Sequence, residues 1–250
     1  MSESLATFTA RQLRALTPAR VGLGRTGVSL QTGDLLAFQR AHALARDAVH
    51  TQLETATLAS ALAQVSNHAV IQLHSMVQDR TVYLQRPDLG RRLNERSQVT
   101  LAHVPPGPWD LALIVADGLS ALAVERHAAP VLKDLLPRLE GWHIAPICIV
   151  EQGRVAIGDE IGAALGAQLS VMLIGERPGL SAPDSLGAYI TWKPQPGRTD
   201  AERNCISNIR LEGLSYEQAA AQLSFYLAEA RHRRLTGVLL KQESRRIEAD

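Results

Sequence analysis

The chain changes grammar at Val104-Pro105-Pro106-Gly107-Pro108, and that change constrains its fold more than any other feature. Three prolines and a glycine in five residues make a rigid connection that no helix or central strand can run through. Beyond it come short apolar runs that read as buried strands: Leu111 to Ala116, Ile144 to Val150, Leu169 to Ile174 and Ala188 to Trp192. Helical segments alternate with them, from Ser120 to Leu139, Ile157 to Leu165 and Ser215 to Arg234. Continuous apolar strands separated by helices predict a parallel sheet covered on both faces. Pro130 is expected to break or restart the first of these helices. Ser215 and Gln218 form a capping box for the last, and Gly237 is expected to end it.

Before the connection the pattern is helical. Thr32 to Asp34 offer a helix start, and Leu35, Phe38, Ala41, Ala45 and Val49 follow at helical spacing. Leu58, Leu62 and Val65 share one face of a second stretch. His68 to Leu84 contains neither Pro nor Gly and reads as helix, closed by Pro87 and Gly90. The expected fold class is therefore α/β: a helical N-terminal region over residues 1–103, then a Rossmann-like or flavodoxin-like parallel-sheet domain over 104–250.

Composition narrows the partners. Hydrophobic residues make up 46% of the 250 and charged residues 20%, a globular balance, while the formal net charge is +1. With Arg and Glu mixed throughout and no isolated basic block, neither nucleic acid nor an anionic membrane is indicated as the main partner. No segment approaches the roughly 20 apolar residues needed to span a bilayer. Met1-Ser2-Glu3-Ser4 lacks the basic start of a secretory signal. Cys148 and Cys205 are too few for a disulfide framework and read as reduced thiols, which points to the cytoplasm.

In open parallel sheets, ligands bind beyond the carboxyl ends of the strands. Here those ends are Asp117-Gly118-Leu119-Ser120, Glu151-Gln152-Gly153 and Gly175-Glu176-Arg177-Pro178-Gly179. They form either a ligand rim or merely tight turns. Gly22-Leu23-Gly24-Arg25-Thr26-Gly27 matches the dinucleotide fingerprint, with Asp47 about twenty residues on. Its context is wrong: only Val21 precedes it where a strand should, and the next helix begins well after the third glycine. None of the eight histidines has metal-ligand spacing, and there is no nucleophile elbow, phosphate loop or kinase signature. Asp159 and Glu160 sit at a helix start, and Arg231, Arg233 and Arg234 at a helix end, where the macrodipole favours them. Cys205 lies in the polar stretch Asp200 to Arg210, which reads either as a loop that hydrogen-bonds a ligand or partner or as a nucleophile whose base is distant in sequence.

Long segments carry a more specific signal. They are Ala19 to Gly27, Arg86-Pro87-Asp88-Leu89-Gly90-Arg91-Arg92-Leu93, Ala116 to Ala121, Gly175 to Ser181, Pro183 to Tyr189, Gly197 to Arg210 and Gly213 to Tyr216. Together they resemble, in order and over nearly the whole chain, the small subunit of ethanolamine ammonia-lyase. The resemblance implies an adenosylcobalamin-dependent radical conversion of ethanolamine to acetaldehyde and ammonia, active only with a large barrel subunit that carries the substrate site. No catalytic residue or protein metal ligand is then expected on this chain. Val155, Glu176 and Cys205 match the family's cobalamin contacts at the subunit interface. The chain has no D-x-H-x-x-G sequence, which fits the base-on class, in which the cofactor keeps its own benzimidazole on cobalt. Relatives can enter a bacterial microcompartment through an N-terminal extension; here Leu5 to Leu16 offers only a brief amphipathic helix. The competing functions are a non-catalytic accessory subunit and a nicotinamide-dependent oxidoreductase.

Overall fold

The computed structural model describes residues 9–105 and 107–240; Met1–Ser4, the Leu5–Phe8 part of the stretch read as a brief helix, and Pro106 lie outside the described residues. Thr9 caps α1 (Ala10–Leu16) through a reciprocal box with Gln12. The glycine run that mimics a dinucleotide fingerprint leads into a hairpin, β1 (Arg25–Thr26) and β2 (Ser29–Leu30), with Gly27 at φ 62° in its turn. A left-handed turn residue favours glycine for steric reasons alone, and no helix opens on this loop. α2 (Thr32–His50) buries Ala41 and Ala48 but leaves Leu35, Leu36, Phe38 and Leu44 largely exposed. α3 (Thr55–Val65) inserts Leu58 and Leu62 into the core.

The segment expected to be helical from His68 to Leu84 is instead β3 (Val70–His74) followed by α4 (Arg80–Gln85). Lack of Pro and Gly permits either state. Val70 and Ile71 are β-branched, and pairing with a strand far along the chain decides the outcome. Asp79 starts α4 by accepting from the Val82 amide. α5 (Glu95–Ala102) follows, capped by Asn94.

Then come β4 (Leu111–Ala116), α6 (Ala121–Leu135), β5 (Ile147–Glu151), α7 (Ile157–Leu165), β6 (Leu169–Gly175), β7 (Leu186–Trp192), β8 (Arg203–Ile209) and α8 (Tyr216–Arg233). The class is α/β, with one six-stranded sheet in the order β3-β5-β4-β6-β7-β8. The first four strands are parallel, and β7 and β8 are antiparallel, so the sheet is mixed rather than wholly parallel. Its first edge strand comes from before the Pro-rich connection.

Two cores flank this sheet. One joins α3, α6 and α8 to one face, and the other joins α5 and α7 to the opposite face. Pro130 was expected to interrupt α6, yet the helix runs through it. Proline forfeits one backbone bond there, but Ala128, Val131, Leu132 and Leu135 are fully buried around it, and that packing holds the turn together. The capping box at Ser215 forms as expected. The helix ends at Arg234 in a left-handed conformation, three residues before Gly237. Gly237 instead exchanges two hydrogen bonds with the Asn204 side chain, tying the chain's last described turn to β8.

Candidate functional site

β4 feeds α6 on one face, and its neighbour β5 feeds α7 on the other, so the chain opens a crevice beyond the carboxyl ends of these two strands. The loops that shape it are held by buried polar contacts. Asp117 accepts from the Gly153 amide (3.1 Å) and from Arg80 Nη1 (3.2 Å), tying the loop after β4 to the loop after β5. Burial pushes the Asp117 carboxyl up to about 6, against the opposing pull of Arg80. Arg80 is itself buried and donates through Nε to the Val49 carbonyl, while its Nη2 has no partner among the described residues. The Tyr83 hydroxyl donates to the Gly153 carbonyl at 2.9 Å. Its ring lies 4.5 Å from the Arg80 guanidinium and 4.0 Å from that of Arg154, both within cation–π reach.

Gly118, at φ 54°, lets the first loop close: a Cβ there would stand 2.3 Å from the Gly175 carbonyl oxygen. Leu119 donates its amide to that same oxygen at 2.9 Å. The carboxyl end of β6 is thereby drawn against the crevice, leaving a cavity of about 400 Å³ walled by Tyr83, Arg154, Val155, Glu176, Tyr189 and Ser207 among others.

Two of the three residues expected to hold a cofactor line this cavity, Val155 and Glu176. Cys205 does not, but it is the cross-strand partner of Tyr189, which does. The Tyr189 phenol is pushed up by burial and, next, by Cys205. Val155 and Glu176 thus share a cavity with Tyr189 and Cys205 lies across the strands from that tyrosine, although Cys205 sits on a strand and not in the expected loop. Its segment pairs with β7, which buries Ile206 and Ile209 against α8 and leaves Cys205 and Ser207 on the opposite, open face.

Glu176 is more committed than its place in a turn suggested. Its carboxylate accepts from the Ser185 hydroxyl, the Ser207 hydroxyl (2.5 Å) and the Asn208 amide (3.2 Å). A carboxylate offers about four acceptor positions, so roughly one is left for a ligand. Tyr83, Arg154 and Tyr189 were missed by sequence reasoning. Tyr83 sat in a stretch read as plain helix, and Tyr189 in a strand read as buried throughout. Arg154, adjoining the Glu151-Gln152-Gly153 turn, was the one with a signal, since it lies beside a strand's carboxyl end.

Chemically, the site offers hydrogen bonds, aromatic and aliphatic walls, and cationic groups. Cys148 is buried in the core, and desolvation pushes its thiol up to about 12, which removes it as a nucleophile. Among the described residues, no group of three or more His, Cys, Asp or Glu side chains could hold a metal ion. None of the described helices is long and apolar enough to cross a membrane.

Comparison with known proteins gives the chain's family. The model of the ethanolamine ammonia-lyase light-chain family (EutC) matches residues 9–241. An ethanolamine ammonia-lyase small subunit from Pseudomonas putida strain KT2440 is 59% identical over 237 residues, covering 93% of this chain and 87% of its own. One from Azotobacter vinelandii is 58% identical over 239 residues (94% and 88%), and one from Pseudomonas syringae pv. tomato is 57% identical over 238 (93% and 83%). With a match of this extent, the chain belongs to the ethanolamine ammonia-lyase light-chain family as its small subunit.

Proposed function

We propose that this chain holds adenosylcobalamin, base-on, against the large barrel subunit of an ethanolamine ammonia-lyase, and that the assembled enzyme converts ethanolamine to acetaldehyde and ammonia. The observation that carries this reading is that Val155 and Glu176 line one cavity with Tyr189, the cross-strand partner of Cys205. A corrin with its amide arms is too large to be enclosed by a cavity of about 400 Å³. An open rim beside an uncovered strand face suits a ligand whose other side is covered by a second protein.

The residues present fit the group. Its amide rim needs both donors and acceptors, and the site supplies the remaining acceptor position of Glu176, the Ser207 hydroxyl and the guanidinium of Arg154, which lines the cavity. When bound, the cofactor supplies a carbon-centred radical by homolysis of its cobalt–carbon bond. On this chain, Val155 and Tyr189 give apolar contact, Glu176 orients an amide arm, and Cys205 packs beside Tyr189. Arg80 and Asp117 hold the two crevice loops at fixed separation, so these contacts are in place before the ligand arrives. Substrate handling falls to the large subunit. Residence in the cytoplasm, within a microcompartment or outside one, belongs to the same reading.

The test is ammonia release from ethanolamine by this chain, the large subunit, and both together, each with and without adenosylcobalamin. Activity confined to the full mixture is expected. Equal activity from the large subunit alone would leave this chain an accessory protein.

A further inference from the structure

The loop from Glu176 to Ser185, between β6 and β7, forms one wall of the candidate site through Glu176 and Arg177, and its return limb is held by α6. Ser120, the N-cap of α6, donates through its hydroxyl to the Pro183 carbonyl at 3.0 Å. Further along the helix, Arg126 Nη1 donates to Asp184 Oδ2 at 2.8 Å. His127 Nε2 stands 3.5 Å from the same oxygen and makes no hydrogen bond among the described residues. Elsewhere on the loop, Arg210 Nη1 donates to the Ser181 carbonyl at 3.1 Å. Arg126, His127 and Asp184 do not line the cavity. Yet the residue next to Asp184 is Ser185, whose hydroxyl donates to Glu176 Oε2 and whose carbonyl accepts from the Glu176 amide at 2.9 Å.

His127 is 2% exposed and belongs to none of the contacts described above. Burial, opposed by Asp184, holds its pKa below the ordinary histidine value, so the ring is neutral at neutral pH and carries one N–H. Its Nδ1 lies 2.9 Å from the Tyr216 hydroxyl. With that hydroxyl as donor, the ring proton falls on Nε2 and faces the Asp184 carboxylate. The other tautomer would set a bare lone pair against that charge. Tyr216, the first residue of α8, thereby selects the tautomer. Burial raises the Asp184 carboxyl, but the Arg126 hydrogen bond and then His127 bring it below the ordinary carboxylate range, so it is anionic. A buried anion with a guanidinium on one side and an imidazole N–H on another has a single favourable seat.

We propose that Asp184, seated between Arg126 and His127, is a positioning residue that acts through Ser185 to hold the Glu176 carboxylate in place for the ligand. This rests on the cofactor reading above. Two of the groups that engage Glu176, the Ser207 hydroxyl and the Asn208 amide, come from β8, and the third, Ser185, comes from the loop. The free acceptor position of Glu176 is therefore aimed by both sides at once. Releasing Asp184 loosens the loop side, and the carboxylate then follows β8 alone.

The test is a double-variant cycle in the complex of this chain with its large subunit, read as retention of hydroxocobalamin after ultrafiltration. Asp184→Ala is expected to weaken retention about fivefold when Glu176 is present and less than about twofold in the Glu176→Ala background. Asp184→Asn keeps an acceptor for Arg126 at the same size and is expected to bring retention back to within about twofold of the unaltered complex. Equal losses in the two backgrounds, or no loss in either, overturns the assignment, because a role in folding alone does not depend on Glu176. Should Asp184→Ala not assemble, Arg126→Ala carries the same cycle, since its side chain is 55% exposed and its removal spares the core. If the unaltered complex retains no cobalamin, or Glu176→Ala retains it fully, the cofactor reading itself fails. Hydrogen exchange at the Glu176 amide then decides the positioning alone. Faster exchange in Asp184→Ala keeps Asp184 as the anchor of Glu176, and unchanged exchange ends it.

Discussion

Burial sets Asp117 against its own charge, and the consequence can be measured. Its carboxyl titrates near 6 in the folded chain, above the range near 4 of an exposed carboxylate. The folded state therefore holds that proton more tightly than the unfolded state does. The stability this contributes is full below about pH 4 and is lost as pH rises through about 6. Relative to Asp117→Asn, which has no such proton, the urea midpoint of the unaltered chain is expected to fall between pH 4.5 and 7. Parallel pH profiles for the two proteins would refute the assignment. Glu176→Ala removes an acceptor shared by Ser185, Ser207 and the Asn208 amide, two of them exposed enough to rehydrate. About 1–2 kcal/mol of stability should be lost, with a larger proportional loss in cobalamin retention by the assembled complex. Intact retention in this variant would remove Glu176 from the ligand contacts. At this scale the sequence was legible where a residue ended a strand, as Glu176 does. It was silent on Tyr83 and Tyr189, whose roles come from which strand ends lie side by side.

Among the elements, α7 and β4 were readable to the residue, because β4 is a continuous apolar segment bounded by polar turns and α7 places Ile157, Ile161 and Leu165 at helical spacing. β3 and β8 were not. Only Leu73 of β3 is buried, and β8 alternates buried and exposed positions with few apolar side chains. Both are edge strands whose identity comes from a partner distant in sequence, Ile147–Glu151 for the first and Leu186–Trp192 for the second. One buried ion pair joins what pattern reading kept apart. Arg203 at the start of β8 grips Asp159 in the first turn of α7, with both side chains almost wholly buried. Removing one member strands the other in a dry setting, so Arg203→Met is expected to cost about 3–5 kcal/mol. Adding Asp159→Leu should recover part of that loss in urea unfolding. A double variant less stable than Arg203→Met alone would show that the pair does not act as a unit.

The molecule as a whole is organised around a sheet that reaches across the Pro-rich connection. A chain starting at Val104 lacks β3 and the α3 side chains Leu58 and Leu62, so it leaves the outer edge of β5 unpaired and part of the core uncovered. It is expected to aggregate, whereas a chain starting at Thr51 keeps both and stays monodisperse in gel filtration. Equal behaviour of the two would show that the sheet does not need its first strand. That first strand also imposes an order of events during synthesis. β3 leaves the ribosome early, but the strand it must lie beside is made only after β4 and α6 have been completed. Parallel pairing at such separation is slow, because a long loop must close before any bond forms. The edge that completes the sheet is therefore the first part of it to be translated and among the last to be seated.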